Sequence, residues 1–192
     1  MKEFFKSNFV KMVLALVVVG ALSGTALVFV YIYTQQKIQN NMNMEMARAI
    51  WDLFPEMDRA VVMKKVKDIH KNPAEIVDKD MKLLGYAFLA EGNGYQGTIK
   101  LMVGIGPDLT ALKGIDVLES QETPGLGAEI ASDKFREQFN GLSVTHPVEY
   151  VKNQTPQKPY QIEAITGATI SSRAVVNIIN KRVKEVREIL KK

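Results

Sequence analysis

A chain of 192 residues, 46% of them hydrophobic, can hold one packed domain and an appendage. It has no Cys, which excludes disulfides, thiolate catalysis, Cys-ligated iron–sulfur clusters and lipid-modified cysteine; His70 and His146 stand too far apart to suggest a His/Cys metal site. Of the formal charge of +4, residues 1–33 contribute three Lys against one Glu, leaving 22 basic and 20 acidic side chains, too even a balance for a nucleic-acid groove.

Lys2, Lys6 and Lys11 precede an uncharged apolar run from Met12 to Tyr33. Its 22 residues, at about 1.5 Å each, cover the roughly 30 Å hydrocarbon core of a bilayer. Tyr31 and Tyr33 close it, where aromatic rings favour the interface. A cleaved signal peptide is the rival reading, with Ala21-Leu22-Ser23 as its small-residue site. The run continues through Leu27-Val28-Phe29-Val30, longer than an h-region, which favours a retained anchor. Lysines concentrated ahead of the span, with only Lys37 close behind, predict a cytoplasmic N-terminus and an extracytoplasmic remainder.

Ile38, Met42, Met46, Ile50, Leu53 and Phe54 recur at helical spacing and predict a helix over 35–54, stopped by Pro55. Residues 64–82 mix charges around Pro73 and read as a solvated surface stretch. The expected organisation is an anchor at 1–34, a helical and charged linker at 35–82, and a domain at 83–192.

Gly92-Asn93-Gly94-Tyr95-Gln96-Gly97 spells G-x-G-x-x-G, yet a dinucleotide fingerprint must open a helix. Residues 98–105 instead alternate, with Ile99, Leu101, Val103 and Ile105 on one face, so the glycines predict a hairpin between strands at 85–91 and 98–105. A third strand is expected at 112–118. Glu122-Thr123-Pro124-Gly125-Leu126-Gly127 then forms a tight loop in which small residues let backbone approach a neighbour closely. Ser132 is expected to cap a helix carrying Phe135 and Phe139. Strands follow at 144–151, interrupted by Pro147, and at 160–165. The fold class implied is α+β: a twisted, mostly antiparallel sheet behind a single N-terminal transmembrane helix, with helices at 132–139 and 172–191 packed on it.

The densest cluster of hydroxyls is Thr166, Thr169, Ser171 and Ser172, around Gly167-Ala168, just before a helix marked by Val175, Val176, Ile179, Val183, Val186 and Leu190. Ser171 or Ser172 is expected to be its N-cap. A hydroxyl-rich cap is one reading; an anion site at the positive helix end is the other. Thr166-Gly167-Ala168-Thr169, followed by Ser171 and preceded by Glu163, resembles the flavinylation motif of the FMN-binding domain family. The E-T-P-G-L-G loop and the upstream G-Y-x-G resemble the same family, which occurs in membrane-anchored subunits of Rnf-type electron-transport complexes and of sodium-pumping NADH:quinone reductases. The chain's short length favours the Rnf branch.

The resemblance implies covalent FMN on Thr169, attached by an FAD-using flavin transferase, with Thr166, Gly167, Ala168, Ser171 and Ser172 around the phosphate. It implies Glu122, Thr123, Gly125, Leu126 and Gly127 as flavin neighbours. Glu163 stands where the family usually has Asp. Other membrane subunits of an Rnf-type complex would be the partners, and the role an electron relay without independent catalysis. A hydrolase is disfavoured, since no G-x-S-x-G is present. A membrane-anchored scaffold without cofactor shares the anchor and fold.

Overall fold

The computed structural model describes residues 8–60, 66, 69 and 72–191. Lys2, Lys6, His70 and much of the charged stretch at 64–82 lie outside the described residues. The chain divides into two compact units, Met1–Met42 and Asn43–Lys192.

In the first unit the dominant feature is the beginning of helix α1, which runs unbroken over Asn8–Leu53. No Gly or Pro interrupts residues 34–42, so the expected span and the helix behind it are one element. Leu16, Leu22, Leu27 and Phe29 are exposed along it, as a lipid-facing surface requires. Thr25 and Thr34 turn their hydroxyls back onto the carbonyls of Ala21 and Val30 (2.7 and 2.8 Å). Neither hydroxyl is therefore left bare in an apolar surround.

The second unit begins at Asn43, forty residues before the domain start expected at 83. The last turns of α1 bury Met46, Ala47, Ala49 and Ile50, and Phe54 and Met57 continue this apolar surface. Four antiparallel strands follow in spatial order β1 (Ala74–Val77), β2 (Leu83–Asn93), β3 (Thr98–Ile105) and β4 (Leu112–Ser120). Strand β1 corrects the reading of 64–82 as wholly solvated: Ala74 and Ile76 are buried against β2. Four residues with two inward side chains are too short a pattern to separate from a polar loop.

The β2–β3 register places Phe88 opposite Val103 and Ala90 opposite Leu101 on one face, with Ala87, Leu89 and Met102 on the other. The first face packs against α3 (Thr169–Leu190) and against α2 (Asp133–Arg136) with its flanking 3-10 turns, through Val175, Ile179, Val183, Phe135 and Phe139. Over the second face lies Phe54. A Cβ added at Gly104 would come within 2.9 Å of its ring, so the strand glycine makes room for the aromatic. The sheet thus has helices on one face and, on the other, Leu53 and Phe54 at the end of α1.

The expected helix at 132–139 forms as two pieces, α2 and a 3-10 turn at Glu137–Phe139, and a further 3-10 turn at Gly127–Ala131 precedes it. Ser132 is the N-cap residue of α2, as expected, but it makes no side-chain capping bond; its hydroxyl turns back to the carbonyl of Glu129 (2.7 Å). The strand expected at 144–151 begins only at Glu149: β5 (Glu149–Lys152) pairs in parallel with β6 (Gln161–Ala164), an addition to the otherwise antiparallel architecture. Val148 is excluded because the Asn180 side chain takes the place of a strand neighbour. Its Oδ1 accepts from Val148 N (2.8 Å) and its Nδ2 donates to Val148 O (2.9 Å).

Candidate functional site

Helix α3 starts at Thr169, three residues earlier than expected, and this decides what its hydroxyls do. The N-cap is Ala168, which has no side-chain acceptor to offer. Neither Ser171 nor Ser172 caps the helix, because both already lie in its first turn and are buried. Ser172 Oγ accepts from Ile165 N (3.0 Å) and donates to Ala168 O (3.1 Å), closing the Thr166-Gly167 turn from within. Gly167 supplies the φ of 83° that this turn needs and a side chain would resist.

Two consequences follow at the surface. Among the described residues, the backbone N–H groups of Thr169, Ile170 and Ser171 have no acceptor; the first helical bond is Ser172 N to Ala168 O. Thr169 is part-exposed, and among the described residues its hydroxyl has no hydrogen-bond partner. Thr166, by contrast, donates its hydroxyl to Asn153 Oδ1 (3.1 Å). Three unsatisfied amides, the positive helix end and one free hydroxyl make a binding place for an anionic group such as a phosphate. The residues present therefore fit the phosphate end of FMN.

The two loops singled out in the sequence meet here. Glu122 is only 6% exposed. Its Oε1 accepts from Tyr95 N (2.7 Å) and Gln96 N (3.0 Å) at the tip of the β2–β3 hairpin, while its Oε2 accepts the Ser171 hydroxyl from α3. Burial pushes the Glu122 carboxyl upward, but hydrogen bonds from Ser171, Gln96, Tyr95 and Gly97 outweigh that and hold it below the ordinary value of 4.5. A Cβ at Gly94 would collide with Oε1, and one at Gly127 with Oε2, so both glycines are there to admit the carboxylate. The G-x-G-x-x-G pattern is a hairpin, as expected, and its middle glycine serves this contact.

Thr123 O accepts from Leu126 N and Ala128 N (both 3.1 Å), which folds the loop so that Gly125, at φ 73°, projects outward. Leu126 is 49% exposed and its Cδ2 stands 3.6 Å from where a Gly167 Cβ would be. Leu126, Gly125 and Gly167 thus share one exposed rim with Thr169, whereas Ala168, Gly127, Ser171 and Ser172 lie beneath it. Glu163 sits apart, in β6, lining a depression of about 300 Å³ with Glu129, Lys134 and Thr166. Its peptide is gripped by Gln138, whose Oε1 accepts from Glu163 N (2.7 Å) and whose Nε2 donates to Glu163 O (3.2 Å). Asn153 and Gln138 carried no signal in the sequence; polar side chains in loops and on short helices are too common to single out.

The FMN-binding domain family matches residues 94–184, from the hairpin tip to most of α3. The G subunit of an ion-translocating oxidoreductase complex from Methanosarcina acetivorans is 32% identical over 92% of this chain and 93% of its own length. The chain belongs to this G-subunit family. A second member, the G subunit of the Na+-translocating ferredoxin:NAD+ oxidoreductase complex of Acetobacterium woodii, is 29% identical over 99% of this chain and 95% of its own. The crystal structure of the C subunit of the Na+-translocating NADH-quinone reductase from Parabacteroides distasonis shares the fold, with a TM-score of 0.56 at 20% identity over 76% of this chain and 90% of that one. The match to the Acetobacterium woodii relative takes in 99% of this chain, and so nearly all of the apolar stretch of α1.

Proposed function

We propose that the chain is a membrane-anchored electron relay whose FMN is esterified through its phosphate to Thr169, within a complex coupling ferredoxin:NAD+ electron transfer to movement of Na+ or H+. The observation that carries the attachment is the partnerless Thr169 hydroxyl beside three acceptor-free amides, on the rim where the E-T-P-G-L-G loop meets the T-G-A-T turn. Thr166 competes as a hydroxyl in the same turn, but its bond to Asn153 occupies it. In the attachment step, the Thr169 oxygen gives up its proton and forms the ester bond to phosphorus, while the pyrophosphate of FAD breaks and AMP leaves with a flavin transferase's help. FMN supplies one- and two-electron redox chemistry once bound. The chain's residues hold the phosphate end and leave the exposed rim to face electron partners. Among the described residues no group of three or more His, Asp or Glu could hold a metal ion.

The redox partners are the other membrane subunits of the complex, and the domain lies on the extracytoplasmic side. That orientation rests on Lys2, Lys6 and Lys11 ahead of the span. Protease added to intact cells, or to spheroplasts where an outer membrane is present, should reach the domain; complete protection there would overturn the topology.

Thr169→Val keeps a β-branched shape and removes the nucleophile. The variant should fold and insert, and its denaturation-resistant flavin fluorescence should drop to background, while Thr166→Val keeps it. Mass mapping of the wild type should place FMN less one water on the peptide ending at Arg173. Fluorescence persisting in Thr169→Val, or a label on Thr166, overturns the assignment.

A further inference from the structure

We propose that Glu122 is a positioning residue for flavin attachment: by bonding the hairpin tip and Ser171 at once, it sets the first turn of α3 and with it the Thr169 hydroxyl. The inference rests on Thr169 being the acceptor. It departs from the expectation that Glu122 touches the flavin, because both carboxylate oxygens are already engaged inside the protein.

Three segments far apart in sequence converge on this carboxylate: Tyr95 and Gln96 in the hairpin, Glu122 in its own loop, and Ser171 in the helix. Ser171 is two residues beyond Thr169, within the same turn. The hydroxyl of Ser172 holds the preceding turn. The helix start is therefore fixed from both sides of Thr169, although its own N-cap residue contributes no side-chain bond. The arrangement also keeps a negative charge off the phosphate. Backbone N–H groups and the Ser171 hydroxyl absorb it, and the acceptor-free amides of the helix end remain for the anion.

Replacement of Glu122 by Asp withdraws the carboxylate by one methylene, so it cannot reach Ser171 and the hairpin together. Replacement by Gln keeps the length, an acceptor for the hairpin amides and a polar partner for Ser171. The test uses the purified full chain in detergent, FAD and a flavin transferase, following covalent flavin with time. A displacement of about 1 Å can cost on the order of a hundredfold in rate, so E122D should lower kcat at least about tenfold with KM for the chain little changed. E122Q should recover most of that loss, and S171A, which cuts one arm, should fall between them. In the flavin-free chain, hydrogen exchange should quicken at Tyr95 and Gln96 in E122D and stay slow in the second half of α3.

Circular dichroism at the assay temperature establishes that each variant is folded; S171A carries the test if E122D is not. A folded E122D or S171A that is flavinylated within twofold of wild type overturns the proposal, as does faster exchange without a slower rate. Thr169→Val is run alongside. If it still takes flavin, the acceptor assignment fails; if it is blank while E122D is unimpaired, only the positioning role fails.

Discussion

At the scale of single residues, the site depends on which hydroxyls and carboxylates are already satisfied. Glu122 and Ser171 stood out in the sequence as site residues, but the sequence could not reveal that they bond to each other. The two are 49 residues apart. Their pairing gives a pH dependence with a definite sign. The folded Glu122 carboxyl is held below its ordinary value of 4.5, so its contribution to stability is present above that pH and is lost as pH falls through the lower folded value. Urea melts of wild type and E122Q between pH 7 and pH 3 should show wild type ahead at neutral pH and the gap narrowing below about 4.5. A gap constant across the range would mean that the clamp does not depend on the ionised carboxylate.

At the scale of elements, strand alternation placed β2, β3 and β4 correctly, because long buried strands impose a period of two on the sequence. What escaped were features made by tertiary contact. The start of α3 at Thr169 follows from the turn closed by Ser172, where a capping rule based on Ser or Thr gave the wrong boundary. The true start of β5 depends on the Asn180 amide standing in for a neighbouring strand at Val148. Asn180→Ala leaves the N–H and C=O of Val148 without that partner and should destabilise the domain by about 1–3 kcal/mol. Asn180→Asp should cost at least as much: its carboxylate can still accept from Val148 N, but it replaces the bond to Val148 O with a part-buried negative charge facing that carbonyl oxygen. Urea denaturation monitored by far-UV circular dichroism measures both. A change below about 0.5 kcal/mol in each would show the Val148 groups finding solvent instead.

At the scale of the whole molecule, the sequence separated an anchor from a domain by hydropathy, and hydropathy says nothing about what a helix does after it leaves an apolar environment. The 35–54 periodicity was legible; its destination was not. Met46, Ala47 and Ile50 of α1 are buried in the second unit, and Phe54 covers the sheet face carrying Ala87, Leu89 and Met102. Strand β1 adds an edge to the same sheet. A fragment beginning at Leu83 would lose both, and each large apolar side chain stripped of its cover forfeits about 1.5–3 kcal/mol. Several such losses equal much of the roughly 5–15 kcal/mol by which a domain is stable. Residues 43–192, freed of the apolar span, should therefore unfold cooperatively in urea and accept flavin on Thr169. Residues 83–192 should bind a hydrophobic dye, melt without a sharp transition and accept little flavin. Equal urea midpoints for the two fragments would mean that the end of α1 and strand β1 are dispensable, and that the flavin domain is complete from residue 83.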